Sequence, residues 1–457
     1  MMSAIPQRLA VAAALVLASR PGDALAGPSP TDDREPMEGG SEEPEAAPVE
    51  APPERVAGAD DVGPHKAPPI PVTTPQLARQ KEPEGDTKLI KDLEARVTGS
   101  ISFSIFHKTW PNEQGDRAVG FGANFDRIGV GLDGTYKGLL MSADYRFFGK
   151  YAMLHHGYIG YRYKDIYEVD VGVHKVPLGI LPYTSHSWFL TLPYYVGMAD
   201  DYDLGIKQKL TLGGFDLQLA YYIISEPAQF GATGDSARYS YDFVTTDADE
   251  LGYAGVTSKQ SNKEMHRANG RLAYTFEHRG GGTTEIGGSG FYGGLYNTEL
   301  DSFGDQWAAV VHYNGNYRGF NLQVEGLYYH HRPLREGVQD PRWVTMGAYD
   351  APYRVASRGL VVVGNIGYTL ELPWEAFDWV MFYNDYSFLF KPDYSSQSTH
   401  MNVTGILLAN QYVYIFFDTA VGLNHPWFSP QYGQALAEGE DDPKPWLWIN
   451  LNFGYYF

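Results

Sequence analysis

The last twelve residues, Trp446 to Phe457, alternate without a break. Leu447, Ile449, Leu451, Phe453, Tyr455 and Phe457 fall on one face. Asn450, Asn452 and Gly454 fall on the other, with Trp446, Trp448 and Tyr456 among them. A period of two is the spacing of a strand whose faces meet different surroundings. The pattern recurs from Val97 onward. Val97, Gly99, Ile101, Phe103 and Ile105 alternate with Thr98, Ser100, Ser102 and Ser104. A chain written this way folds as sheet, and one face of that sheet is apolar throughout.

Composition narrows the choice. The chain has 457 residues with 51 Gly, 34 Tyr and no Cys. No apolar run reaches the roughly 18–20 residues of a membrane helix. A negative mean hydropathy still admits a membrane protein, because a barrel places its lipid face in every second residue. The net charge of -20 argues against nucleic acid as a partner. Without Cys there is neither a disulfide nor a lipidated N-terminal Cys.

Residues 1–26 read as a signal peptide, with Arg8, the apolar core Leu9–Ala18 and the small-x-small site Ala24-Leu25-Ala26. Residues 27–86 carry 14 acids against 5 bases with almost no aromatics. Such a segment buries too little apolar area to offset its chain entropy, and it reads as a disordered acidic tether. Residues 87–96 read as a short helix or rim segment.

From residue 97 to 457 about sixteen strands are expected, at 97–105, near 128–132, and at 139–147, 152–163, 167–175, 202–212, 215–224, 266–277, 284–292, 305–313, 320–329, 359–369, 378–388, 399–408, 411–421 and 446–457. Short connections alternate with mostly long ones at 108–122, 176–201, 225–264, 293–304, 330–357 and 422–445. That is the plan of an all-β transmembrane antiparallel barrel in a bacterial outer membrane. An even strand number puts both ends on the short-turn, periplasmic side. The terminal strand with Phe453, Tyr455 and Phe457 resembles the sorting signal by which such barrels are recognised for insertion. Outer-membrane lipids and the barrel-assembly machinery are then partners.

Sixteen strands leave an aqueous lumen, which something must narrow. Residues 176–201 are too apolar for a free loop, with Trp188, Phe189, Leu190, Tyr194 and Tyr195. They are expected to fold inward as the constriction, with Lys175, Tyr183, His186, Trp188, Tyr194, Tyr195, Asp200 and Asp201 at the site. The tyrosines and Trp188 either offer stacking surface to a solute or glue the loop in place.

The stretch Gly172-Val173-His174-Lys175-Val176-Pro177-Leu178-Gly179, followed by Asp200-Asp201-Tyr202-Asp203-Leu204-Gly205, resembles the phosphate-selective porin O and P family. The resemblance implies a passive channel, usually a homotrimer, with basic ladders and a lysine-rich constriction in some members. Taking polar faces as inward places Arg127, Arg146, Arg162, Lys207, Lys209, Arg267 and Arg271 in the lumen. They form an anion ladder, or each braces the wall against Asp144, Asp170, Asp203 or Asp216. The loop itself holds no Lys or Arg after Lys175. A phosphate trap needs converging cationic donors, so phosphate selectivity is not implied.

The expected function is a porin passing small hydrophilic solutes or ions, without a chemical step, cofactor or metal. Two readings stand beside it: a structural anchor with a blocked lumen, and an outer-membrane hydrolase. No catalytic residues are assigned, because a triad is defined by geometry. Adjacent residues in a strand point to opposite faces, so His155-His156 is not expected to chelate. Asp200, Asp201, Asp203, Asp242, Asp247, Asp249 and Glu250 lack a spaced calcium motif and read as solvated acidic loops.

Overall fold

The computed structural model describes residues 93–110, 122–149, 151–228, 235–246, 260–335 and 341–457. The expected signal peptide and tether lie outside these residues, as do 87–92, Asp247, Asp249 and Glu250. The first strands are β1 (Leu93–Lys108), β2 (Gly122–Tyr136), β3 (Leu139–Phe147), β4 (Ala152–Tyr163), β5 (Tyr167–Lys175), β6 (Tyr202–Leu212) and β7 (Phe215–Ser225). Then come β8 (Asp242–Phe243), β9 (Asn262–Glu277), β10 (Thr283–Asn297), β11 (Ser302–Tyr317), β12 (Phe320–Arg332), β13 (Trp343–Ala348) and β14 (Ala351–Ala356). The last are β15 (Arg358–Glu371), β16 (Trp379–Phe390), β17 (Thr399–Ala409), β18 (Val413–Leu423) and β19 (Trp446–Tyr456).

All but β8, β13 and β14 close a single antiparallel barrel of sixteen strands. The terminal strand closes it, with β19 paired to β1 from Ser100↔Tyr456 to Lys108↔Trp448. Gly99 and Phe457 exchange backbone hydrogen bonds at 2.8 and 3.0 Å, and Phe453 stacks on Phe103. The alternation is why this works. Val97, Ile101, Phe103 and Ile105 face outward and are exposed, while Ser102 and Ser104 face inward and are buried. Exposed Tyr163, Phe215, Phe276, Tyr317, Phe320 and Tyr412 flank the short turns, forming the aromatic girdle of a membrane-spanning barrel.

Two boundaries differ from expectation. Leu93–Arg96 are strand, not helix, because β2 is long enough to pair them with Asp133–Tyr136. Arg96 also forms an ion pair with Asp133. The connection expected over 293–304 is only 298–301, because the β10–β11 ladder continues to Asn297↔Ser302.

The three remaining strands form a small sheet in the order β14-β13-β8. It comes from the fourth and sixth connections on the long-loop rim. Every residue in β8 and β13 is buried.

Candidate functional site: the lumen and its inward loop

The third long-side connection, 176–201, crosses the lumen, and wall acids pin it there. Glu325 on β12 accepts from Ile180 N at 2.9 Å and Thr184 Oγ1 at 2.8 Å. Asp385 on β16 accepts from Ser185 Oγ, His186 N and Ser187 N at 2.8, 2.6 and 2.9 Å. Asp418 on β18 accepts from Trp188 N at 3.1 Å, and Ser387 Oγ from Leu192 N at 3.1 Å. A loop in a lumen has no ladder for its N–H groups, and buried N–H groups need acceptors. The acids on β12, β16 and β18 supply them.

The motif glycine Gly179 has a geometric reason. Its φ is +64°, and a Cβ there would lie 2.2 Å from Glu325 Oε2. Lys175 is the loop's clasp. Its Nζ bonds Asp200 near the far end of the loop and donates to Pro182 O at 3.0 Å. The same ammonium lies over the Tyr183 and Tyr202 rings.

His186 is doubly held. Its Nδ1 lies 2.7 Å from Asp385 Oδ1 and its Nε2 lies 2.6 Å from Asn321 Oδ1. Asn321 Nδ2 donates to Asn314 Oδ1 and Asn316 Oδ1, both at 2.8 Å, which turns Oδ1 toward the ring. Both ring nitrogens thus face acceptor oxygens, an arrangement that favours the imidazolium form. Burial opposes that charge, but the Asp385 carboxylate outweighs it and raises the pKa above its ordinary value. The contribution is full below about 6.5, the free imidazole value, and is lost as pH rises through the raised one. Open-channel noise is therefore expected to rise as the pH is taken up through the raised value, as a pH series of single-channel traces would record.

Trp188, Tyr194 and Tyr195 are buried, which corrects the stacking-surface alternative for these three, while Tyr183 is half-buried. Phe189 packs on Phe428 and Trp448. Tyr194 Oη meets Tyr349 Oη at 2.7 Å, and Tyr353 Oη donates to Tyr195 O at 2.5 Å. Tyr241 accepts from Trp427 Nε1 at 2.7 Å. The fourth, sixth and eighth connections thus pack onto the third as one aromatic plug. Asp200 and Asp201 are buried too and are not exposed constriction charges. Asp200 accepts from Tyr239 Oη at 2.7 Å, and Asp201 from Arg267 Nη1 at 2.8 Å.

A cavity of about 390 Å³ remains beside β1–β6. It runs from Arg96 and Phe457 at the short-turn rim to His155, Lys175 and Tyr202. Its charged lining is Arg96, Arg127, Arg146, Lys175 and Lys207 against Asp133 and Asp144. Most basic residues do brace the wall. Arg146 pairs with Asp144 at 2.9 Å, Lys207 with Asp170 at 3.4 Å and Lys209 with Asp216 at 3.3 Å. Arg162 pairs with Glu168 on the exposed rim. Arg267 and Arg271 do not line this cavity. Arg267 is buried against Asp201 and Asp203. Arg271 meets Asp216 and Glu285 and donates to Gly179 O. Arg127 donates to Tyr456 Oη at 3.4 Å.

Bulges add side chains that alternation does not anticipate. Asp144 pairs with His156 and Tyr145 with Leu154, so His155 is an extra residue in β4. Both His155 and His156 therefore line the cavity, which corrects the opposite-face expectation. Their Nδ1 atoms are 2.7 Å apart, and His156 Nε2 lies 2.8 Å from Ser142 Oγ. A second bulge makes Asp126 the extra residue in β2. It accepts from Ser104 Oγ at 2.6 Å and Asn452 Nδ2 at 2.8 Å.

No protein-family model matches the chain, and no curated protein matches it. Solved structures do. The outer membrane channel DcaP of Acinetobacter baumannii is similar with a TM-score of 0.51 at 8% identity, over 80% of this chain and 97% of that one. An anion-selective porin from Comamonas acidovorans gives 0.50 at 12%, over 80% and 100%. Salmonella typhi OmpF, in complex with daunomycin, gives 0.50 at 10%, over 80% and 98%. The fold is that of the outer-membrane porins.

Proposed function

We propose that the protein is a passive channel of the bacterial outer membrane that favours small anions. One observation carries this reading. The loop's docking engages the acids Glu325, Asp385 and Asp418 on one wall, while the open space lies along the other. There five cations and two carboxylates line the open space, with Asp200 and Asp170 behind Lys175 and Lys207, so the surface that a solute meets is more basic than the wall as a whole. An excess of one sign along a low-dielectric passage raises the local concentration of the opposite ion. One structurally similar protein is an anion-selective porin, which agrees with this reading. The resemblance to the phosphate-selective porins rests on the Gly172–Gly179 and Asp200–Gly205 stretches. It extends to the plan of the channel and a homotrimeric state, not to phosphate capture, because Lys175 is engaged as a clasp. The acidic tether lies in the periplasm in this account. Liposome swelling with neutral and anionic solutes of matched size tests the proposal. Faster entry of the anion is expected; no entry of either contradicts it.

One observation favours a second reading, a capped barrel acting as an envelope anchor. Tyr194, Tyr195, Tyr239, Tyr241, Tyr349 and Tyr353 are each at most 3% exposed, so the long-loop half of the described lumen is densely packed. Permeation separates the two readings.

Insertion is testable apart from transport. Phe457→Ser keeps both backbone bonds to Gly99, each worth about 0.5–1.5 kcal/mol. Refolding in detergent is then expected to be normal, while the level of folded barrel in the outer membrane falls to a small fraction of wild type. Equal loss in both assays would make Phe457 a stability residue only.

A further inference from the structure

The acids expected to be solvated at the loop bases are buried instead. Asp201, Asp203 and Asp242 are 3%, 1% and 1% exposed, and one ligand atom from each lies within 4.8 Å of the others. They come from different elements: the end of the third connection, β6 and β8. Glu226, just after β7, is 1% exposed and sits against Asp242. Its Oε1 accepts from Ser240 N at 2.5 Å, while its Oε2 has no donor.

The available cations do not balance this group. Arg267 Nη1 serves the Oδ2 atoms of Asp201 and Asp203 at 2.8 and 3.2 Å. The Oδ1 atoms of both are buried without a partner among the described residues. Arg238 reaches Asp242 only at 3.4 Å and is closer to Asp235, at 2.5 Å. Glu264 adds a further buried carboxylate beside Arg267. Among the described residues, five carboxylates thus face two guanidiniums, one of them shared with Asp235. Uncompensated buried charge is among the most unfavourable arrangements in a protein.

We propose that Asp201, Asp203, Asp242 and Glu226 bind a divalent cation of the calcium class. Calcium takes only oxygen ligands at about 2.3–2.6 Å. One oxygen from each of the three aspartates lies within 4.8 Å of the others, so a single ion between them is within reach of all three. The donor set has no nitrogen or sulfur, which disfavours zinc and copper. The ion ties the bases of the third and fourth connections to β6 and β7, and so holds the plug against the wall. This inference does not depend on what the channel passes.

The test uses the full-length protein folded in detergent. Thermal unfolding is followed in calcium, in magnesium and in EDTA, with calorimetric titration of calcium into chelator-treated protein. Expected are a single binding isotherm, a higher midpoint in calcium than in magnesium, and a lower midpoint in EDTA. Asp203→Asn with Asp242→Asn is expected to weaken calcium binding at least about tenfold, since affinity follows the count of ligand charges. Wild-type protein that shows no binding heat, and the same midpoint in calcium and EDTA, would overturn the proposal and leave shared protons to balance the cluster. That wild-type comparison decides even if the double variant fails to fold.

Discussion

Asp385→Ala is expected to give a larger and noisier unitary conductance in a barrel that still folds. Asp385 accepts three hydrogen bonds and an imidazolium contact from the Ser185–Ser187 segment. Each hydrogen bond to a charged group is worth roughly 1.5–3 kcal/mol. Losing them together frees the middle of the loop while Glu325 and Asp418 still hold its flanks. The sixteen-strand ladder does not use this carboxylate, so heat-modifiable migration on gels should remain. Asp385→Asn keeps an acceptor oxygen and should fall between the two. Unchanged conductance in Asp385→Ala would mean that the aromatic packing alone holds the loop, or that the narrowest point lies elsewhere.

The second large effect is on ion preference. Arg127→Gln with Arg146→Gln removes two cavity cations and leaves Asp133 and Asp144 on the same wall. The reversal potential in a salt gradient is expected to move toward cation preference. Two controls separate lining from bracing. Arg162→Gln, on the exposed rim with Glu168, should change selectivity little. Arg267→Gln lies away from the cavity and breaks a buried pair, at a cost of about 3–5 kcal/mol. It should lower stability and leave selectivity unchanged. A selectivity shift in Arg267→Gln larger than in the double variant would move the conducting path to the β6–β9 wall.

Strand number, pairing order and the inward third connection are readable from the sequence because each is a local pattern. Alternation writes the strands. The apolar run around Trp188 marks a loop that needs cover. Bulges are different, since one extra residue depends on how a neighbouring strand pairs. His155 and Asp126 were therefore unreadable as inward residues. The anchors Glu325, Asp385 and Asp418 look like any inward polar residue until the loop arrives against them, some 140–230 positions away in the chain. The carboxylates named as bracing partners, Asp144, Asp170, Asp203 and Asp216, do pair with Arg146, Lys207, Arg267 and Lys209. Asp170 with Lys207, and Asp216 with Lys209, lie on neighbouring strands and follow from register; Asp144 and Arg146 share β3, and Arg267 on β9 reaches Asp203 on β6 past β7. The sixth and eighth connections were not legible. Their aromatic residues, such as Trp343, Tyr353 and Trp427, are spread along long loops and show no period.

The most direct test is single-channel recording of the purified, folded protein in a planar bilayer with a salt gradient. The account predicts discrete, steady steps with a reversal potential of the sign set by anions. A folded, inserted barrel that passes no current would contradict it and leave the capped-barrel reading in its place.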